Sequence, residues 1–125
     1  MNIIEYFQDQ KFAISSSAIV DSWEFQEDIR TSTEGFFKTR IHFIDDSKLD
    51  VREYVNIDLE KILRYTYSFH YFKNDKLIFR YDNTPHHPQV SSFPHHKHLP
   101  SGKVVECDEP NLADVLKEIE SILIS

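Results

Sequence analysis

The strongest constraint on the fold lies between residues 37 and 82, where apolar and polar side chains exchange places at every step and turn-forming residues break the alternation at short intervals. Phe37, Thr39, Ile41 and Phe43 alternate with Lys38, Arg40 and His42, and Leu49, Val51, Glu53 and Val55 alternate with Asp50, Arg52 and Tyr54. A period of two is what a strand needs to bury one face and wet the other. Asp45-Asp46-Ser47-Lys48 reads as the turn between them, and a second turn falls near Asn56–Glu60. Ile62–Phe72 and Leu77–Asp82 follow as aromatic strands joined by Lys73-Asn74-Asp75-Lys76, whose Asn-Asp centre suits a tight hairpin. Upstream, residues 12 to 25 are rich in β-branched, serine and aromatic residues and contain neither glycine nor proline, so they read as one long or bent strand before a charged turn over residues 26 to 35. The expectation is an antiparallel meander of about five strands.

Helical spacing marks both ends. Ile3, Ile4 and Phe7 predict a short helix over residues 1 to 10 with Asn2 as its N-cap. After Pro110, Asn111 is a good N-cap with Asp114 three residues on, and Leu112, Val115, Leu116, Ile119, Ile122 and Leu123 recur at the spacing of an amphipathic helix. That helix should cover one face of the sheet, giving an α+β fold as a single domain over residues 1–125. The uncovered face should group Arg40 with His42, Arg52 with Tyr54, Arg64 with Ser68 and His70, and Arg80 with Asp82, making it basic and aromatic.

No apolar run approaches the roughly 18 residues of a membrane span, so no membrane partner is expected. The start lacks a basic, then apolar, signal-like segment, which predicts a cytoplasmic chain, and a lone Cys107 accords with a reducing compartment. A net charge of −7 argues against indiscriminate binding to nucleic acid, yet the charge is uneven. Residues 62 to 103 carry six Lys/Arg against two Asp/Glu, between two acidic flanks.

Five of the seven histidines fall between Asn83 and Pro100, in two proline-bracketed pairs, with four prolines among residues 85 to 100. Fixed φ angles stiffen such a loop and aim its side chains. Three uses compete for His86, His87, His95, His96 and His98. In a nuclease-like use, one imidazole moves a proton while Arg80, Arg64 or Lys97 stabilises charge on phosphorus. In a metal-site use, His86 or His87 joins His95, His96 or His98, with Asp82, around a divalent ion, although the spacing matches no known zinc pattern. In a structural use, the imidazoles cap strand ends and bond loop carbonyls. His42 and His70, on strands, read as structural. Tyr65, Tyr67, Phe69 and Tyr71 form a period-two stripe that reads as core, with base stacking beside Arg64 and Arg80 as the alternative. Gly35 and Gly102 are the only glycines, so no phosphate-cradling loop exists and no motif demands a cofactor.

Leu49-Asp50-Val51-Arg52-Glu53-Tyr54, Arg64-Tyr65-Thr66-Tyr67, Leu77-Ile78-Phe79-Arg80-Tyr81-Asp82-Asn83, His86-His87-Pro88, Phe93-Pro94-His95-His96-Lys97-His98 and the Pro110-Asn111-Leu112 helix start resemble the TumE family of bacterial and archaeal toxins. The resemblance spans residues 40 to 120, and the first forty residues carry no motif. It implies a toxin that arrests growth when unpaired and a cognate antitoxin with a helix-turn-helix domain. RNA cleavage follows only by analogy with other small toxins that place a helix on an antiparallel sheet, and the acidic balance speaks against ribosome binding. The expected function is thus a toxin that cleaves or binds RNA through the five loop histidines, with Arg64, Tyr67, Arg80, Asp82, Asn83 and Lys97 around the substrate. The alternative is a non-enzymatic partner-binding module whose His-Pro loop is structural. Either leaves room for a homodimer.

Overall fold

The computed structural model describes residues 1–124. In chain order the elements are α1 (Ile3–Ser15), β1 (Val20–Ile29), β2 (Glu34–Phe43), β3 (Lys48–Asp58), β4 (Lys61–Lys73), β5 (Lys76–Asp82), β6 (His96–His98), β7 (Val104–Glu106) and α2 (Leu112–Ile124). The strands pair strictly in sequence, β1 to β7, all antiparallel, so the sheet is a pure meander. The meander and both terminal helices agree with expectation, but the described residues form seven strands rather than about five. The two added strands have three residues each, too few to show a period, and β6 lies inside the histidine loop.

The N-terminal boundary also differs. Residues 12 to 15, expected to open a strand, complete α1, and β1 runs on to Ile29, through the first four residues of the segment expected to be a turn. Helix α1 starts at a full capping box, with the Glu5 amide donating to Asn2 Oδ1 at 2.9 Å and the Asn2 amide donating to Glu5 Oε1 at 3.1 Å. Its inner face of Ile3, Tyr6, Phe7 and Ile14 is buried, and that tertiary contact, more than local propensity, carries the helix past residue 10. Gly35 permits the close approach, because a Cβ there would lie 3.0 Å from both the Asp28 carbonyl oxygen and Ile3 Cγ1.

Both helices cover the same sheet face. Phe37, Ile41 and Phe43 from β2, Leu49, Val51 and Val55 from β3, and Tyr67, Phe69 and Tyr71 from β4 meet Leu112, Val115, Leu116 and Ile119 of α2 in one core. Helix α2 begins at the expected box: the Asp114 amide donates to Asn111 Oδ1 at 2.8 Å, and the Asn111 amide to Asp114 Oδ2 at 3.3 Å. The Asn74-Asp75 turn between β4 and β5 has φ of 52° and 61°, the left-handed pair that a two-residue hairpin requires. No helix among the described residues is long and apolar enough to cross a membrane.

One irregularity redirects the site. Tyr54 pairs with Thr66 but Val55 pairs with Arg64, so Tyr65 is an extra residue in β4. Such a bulge reverses which side chains point inward. Arg64 therefore leaves the open face expected for it and turns beneath the helices, with its side chain only 11% exposed. Tyr65 swings outward at 52% exposure and drops out of the core stripe, packing edge-on against Tyr54 at 5.2 Å. The open face is not simply basic either: Arg40 forms a two-pronged ion pair with Asp50 at 2.7 and 2.8 Å, and His42 Nε2 lies 3.3 Å from Glu24.

Candidate functional site: a histidine pocket on the open face

Strand pairing assembles the site. In the β4–β5–β6 ladder, His70 stands opposite Arg80, Arg80 opposite His98, and Asp82 opposite His96. Because residues two apart on a strand share a face, the His-x-His of β6 sends His96 and His98 to the side of Arg80 and Asp82, away from the helices. Lys97, between them, points the other way.

The loop returns His87 to the same point. Its segment from residue 84 to 95 is a chain of tight turns, with amide donations from His86 to Thr84, Val90 to His87, Phe93 to Val90 and His95 to Ser92 at 2.8–3.2 Å. Val90 is buried, and the Ser92 hydroxyl both donates to the His95 carbonyl and accepts from the Cys107 amide at 3.0 Å, fastening the loop to the chain beyond β7. The ring centres of His87, His96 and His98 stand 4.8, 4.9 and 5.4 Å apart, all edge to face. With Arg80, Asp82, His70 and the exposed His86 they line a pocket of about 410 Å³.

Asp82 is the electrostatic centre. It is 3% exposed; its Oδ1 accepts from the Thr84 amide at 3.0 Å and lies 2.8 Å from His96 Nε2, while Oδ2 accepts from Arg80 Nε at 2.9 Å and lies 3.4 Å from His98 Nε2. Burial opposes its ionisation, but the Thr84 amide, His96 and Arg80 prevail and hold its carboxyl below the usual carboxylate range. Burial, followed by neighbouring His96, His87 and Arg80, pushes His98 below the usual imidazole value despite the attraction of Asp82, and burial with Arg80 does the same to His70. Both are therefore neutral at pH 7, which suits a ligand or a proton acceptor.

The fold divides the eleven residues expected at the site. His86, His87, His96, His98, Arg80 and Asp82 meet at the pocket. His95 sits on the opposite side of the strand, stacked on Tyr67 and bonded to its hydroxyl at 2.8 Å through Nδ1, with Glu109 at 4.0 Å from Nε2. Arg64 joins Glu53, Glu109 and the Pro110 carbonyl at 3.2–3.3 Å, tying β4 to the start of α2. Lys97 binds Glu118 of α2 at 2.8 Å and lies over the rings of Phe79 and Tyr81. Asn83 uses its amide to extend the sheet, accepting from the Tyr67 amide at 3.0 Å and donating to the Tyr65 carbonyl at 3.2 Å. His95, Arg64, Tyr67, Lys97 and Asn83 are thus placed outside the pocket, four of them by strand parity or the bulge and Asn83 by its own hydrogen bonds.

Two residues outside that reading matter. His70 lines the pocket, and the signal was available, since it shares the face of Arg80 by simple register. Glu53 is wholly buried beneath the helices, bonded by the Tyr6 hydroxyl and beside Arg64; its place on the apolar side of an alternating strand was the clue. Cys107 is half-buried, and burial pushes its thiol up to about 11, which makes it a packed residue rather than a nucleophile.

A sequential antiparallel sheet with its terminal helices on one face and a pocket of converging imidazoles, carboxylate and guanidinium on the other defines a small α+β protein with a built polar pocket. The chain belongs to the TumE toxin family, whose model, described as Toxin TumE, matches residues 9–123. The match extends the resemblance across the N-terminal segment, which carries no motif by eye. Membership makes the chain a toxin, with an antitoxin as the partner such toxins require. No curated protein and no solved structure matches it.

Proposed function

We propose that this toxin acts on RNA, binding and cleaving a phosphodiester at the open-face pocket, and that a helix-turn-helix antitoxin silences it. The observation that supports the reading is the convergence of His87, His96 and His98 on buried Asp82 and on Arg80, with His86 at the rim. Unrelated structural histidines have no reason to share one opening. The pocket offers what cleavage next to a 2′-hydroxyl needs. A neutral imidazole takes the hydroxyl proton as that oxygen bonds to phosphorus, a second proton reaches the departing 5′-oxygen as its bond to phosphorus breaks, and Arg80 lies beside the charge that builds on the phosphoryl oxygens. The products are a 2′,3′-cyclic phosphate and a 5′-hydroxyl, so no further reactant is required. On this reading exposed His86, at the rim, carries protons between the pocket and water.

The competing reading, a partner-binding module with a structural loop, draws on the Ser92–Cys107 and His95–Tyr67 ties that brace the segment. Induced expression separates the two. Wild type and His95→Ala should arrest growth and deplete intact RNA, whereas His98→Ala and Arg80→Ala, at matched soluble levels, should do neither. Equal arrest in all four would overturn the catalytic pocket in favour of the binding module.

A further inference from the structure

We infer that the His87–His96–His98 cluster is a binding site for a divalent transition-metal ion of the zinc or cobalt type, with Asp82 as the adjoining carboxylate. The inference rests on the pocket reading above and specifies what occupies its floor.

The first observation is geometric. One ligand nitrogen from each of the three histidines lies within 4.8 Å of the others, so a single ion placed among them is reached by small rotations of side chains already on the spot. The set combines a short-spaced pair on one face of a strand with a third ligand from the loop that precedes that strand. Three imidazoles around an otherwise open position suit zinc or cobalt and leave room for water or a phosphate oxygen.

The second observation is a buried nitrogen with nothing suitable to bond. His96 is 1% exposed, and its Nδ1 lies 2.9 Å from the Pro94 carbonyl oxygen. A carbonyl only accepts, so Nδ1 carries the hydrogen, and in the neutral form of the ring Nε2 is left with a bare lone pair. That atom lies 2.8 Å from Asp82 Oδ1 yet makes no hydrogen bond of acceptable direction. Two acceptors facing each other in a buried site repel unless a cation lies near both. A proton on Nε2 would supply one, but the contact is not aligned for that bond. An ion among the three imidazoles removes the conflict, and the Pro94 carbonyl then performs the orienting task that a backbone oxygen performs behind a ligating histidine. Beside the cluster the Gln89 amide stands 3.4 Å from His87 Nδ1 and, turned over, would accept from that nitrogen.

The proline-rich segment acquires a purpose on this reading. Metal affinity depends on how little the ligands must reorganise, and the Ser92, Val90 and Cys107 anchors hold the loop that brings His87 to the strand pair. A bound ion would polarise a phosphoryl oxygen beside Arg80 and leave His70 and His86 as the pocket imidazoles not committed to it.

Untagged protein stripped with chelator is titrated with Zn²⁺ in a calorimeter and with Co²⁺ under visible absorption. One ion per chain should bind with micromolar or tighter affinity, and Co²⁺ should give the intense visible bands of a low-coordinate nitrogen site. His87→Ala and His98→Ala, both at incompletely buried positions and checked for fold by circular dichroism, should each weaken binding at least about 100-fold. His95→Ala, outside the cluster, should bind as wild type. Failure of the wild type to bind either ion, or equal binding by wild type and the His87→Ala and His98→Ala variants, would overturn the inference. If Zn²⁺ binds but the His98→Ala variant still arrests growth, the metal site stands and the RNA-cleaving pocket falls. If growth arrest depends on His98 while no metal binds, the pocket stands and the metal site falls.

Discussion

Replacing Arg64 by methionine tests the least expected feature beneath the helices. Glu53 has no exposed surface; one oxygen accepts from the Tyr6 hydroxyl and lies 3.3 Å from Arg64 Nε, and the other has no hydrogen-bond partner. Among the described residues, Arg64 is the only cation in ion-pair contact with it. Arg64→Met therefore strands a buried carboxylate, which costs about 3–5 kcal/mol, against the roughly 5–15 kcal/mol by which a domain is stable. With a urea slope near 2 kcal/mol per molar, the unfolding midpoint should fall by about 2 M. The cost also depends on pH. Burial, the largest influence, already raises the Glu53 carboxyl above its ordinary value of 4.5, the attraction of Arg64 opposes that rise, and removing Arg64 raises it further. A group whose pKa rises on folding contributes stability at low pH that is lost as pH climbs from the unfolded value through the folded one. The variant's deficit should accordingly be largest at pH 8 and shrink as pH falls toward 4.5. Converting the whole group, Tyr6→Phe with Glu53→Leu and Arg64→Met, should restore most of the loss, because well-packed apolar residues replace a buried ion pair at little net cost. A loss under about 1 kcal/mol at pH 8, or one that does not change with pH, would refute the account.

Gly35→Ala drives a Cβ to 3.0 Å from a backbone oxygen of β1 that cannot easily yield, and should cost about 1–3 kcal/mol in thermal unfolding with growth arrest retained in cells. Lys97→Met removes the Glu118 ion pair at a partly exposed site, costing up to about 1 kcal/mol in urea unfolding. It should leave growth arrest intact, since Lys97 faces α2 rather than the pocket, and loss of arrest in a folded Lys97→Met protein would return that residue to the site.

The sheet from residue 37 to residue 82 was readable because period-two alternation recurs in its strands and its turns use Asp, Asn and Ser, so period and punctuation agree. The late helix was readable for the same reason, with its cap, box and apolar stripe coinciding. The boundary between α1 and β1 was not. Residues 12 to 15 hold Phe, Ala, Ile and Ser, which have no decisive local preference, and the burial of Ile14 against the core settles them as helix. Strands β6 and β7 were invisible because three residues carry no period, and they form only because β5 presents an edge to pair with.

The candidate site shows the same division. Sequence alone determined that five of the seven histidines would lie together in one proline-stiffened segment between Asn83 and Pro100. Which of them stand together was decided by tertiary structure. Strand parity sent His96 and His98 to the open face and Lys97 to the helices, one extra residue at Tyr65 turned Arg64 inward, and the loop's anchors carried His87 across to the strand pair. Identity is local and can be read in one dimension, but facing is a property of register, and register exists only once strands have found their neighbours.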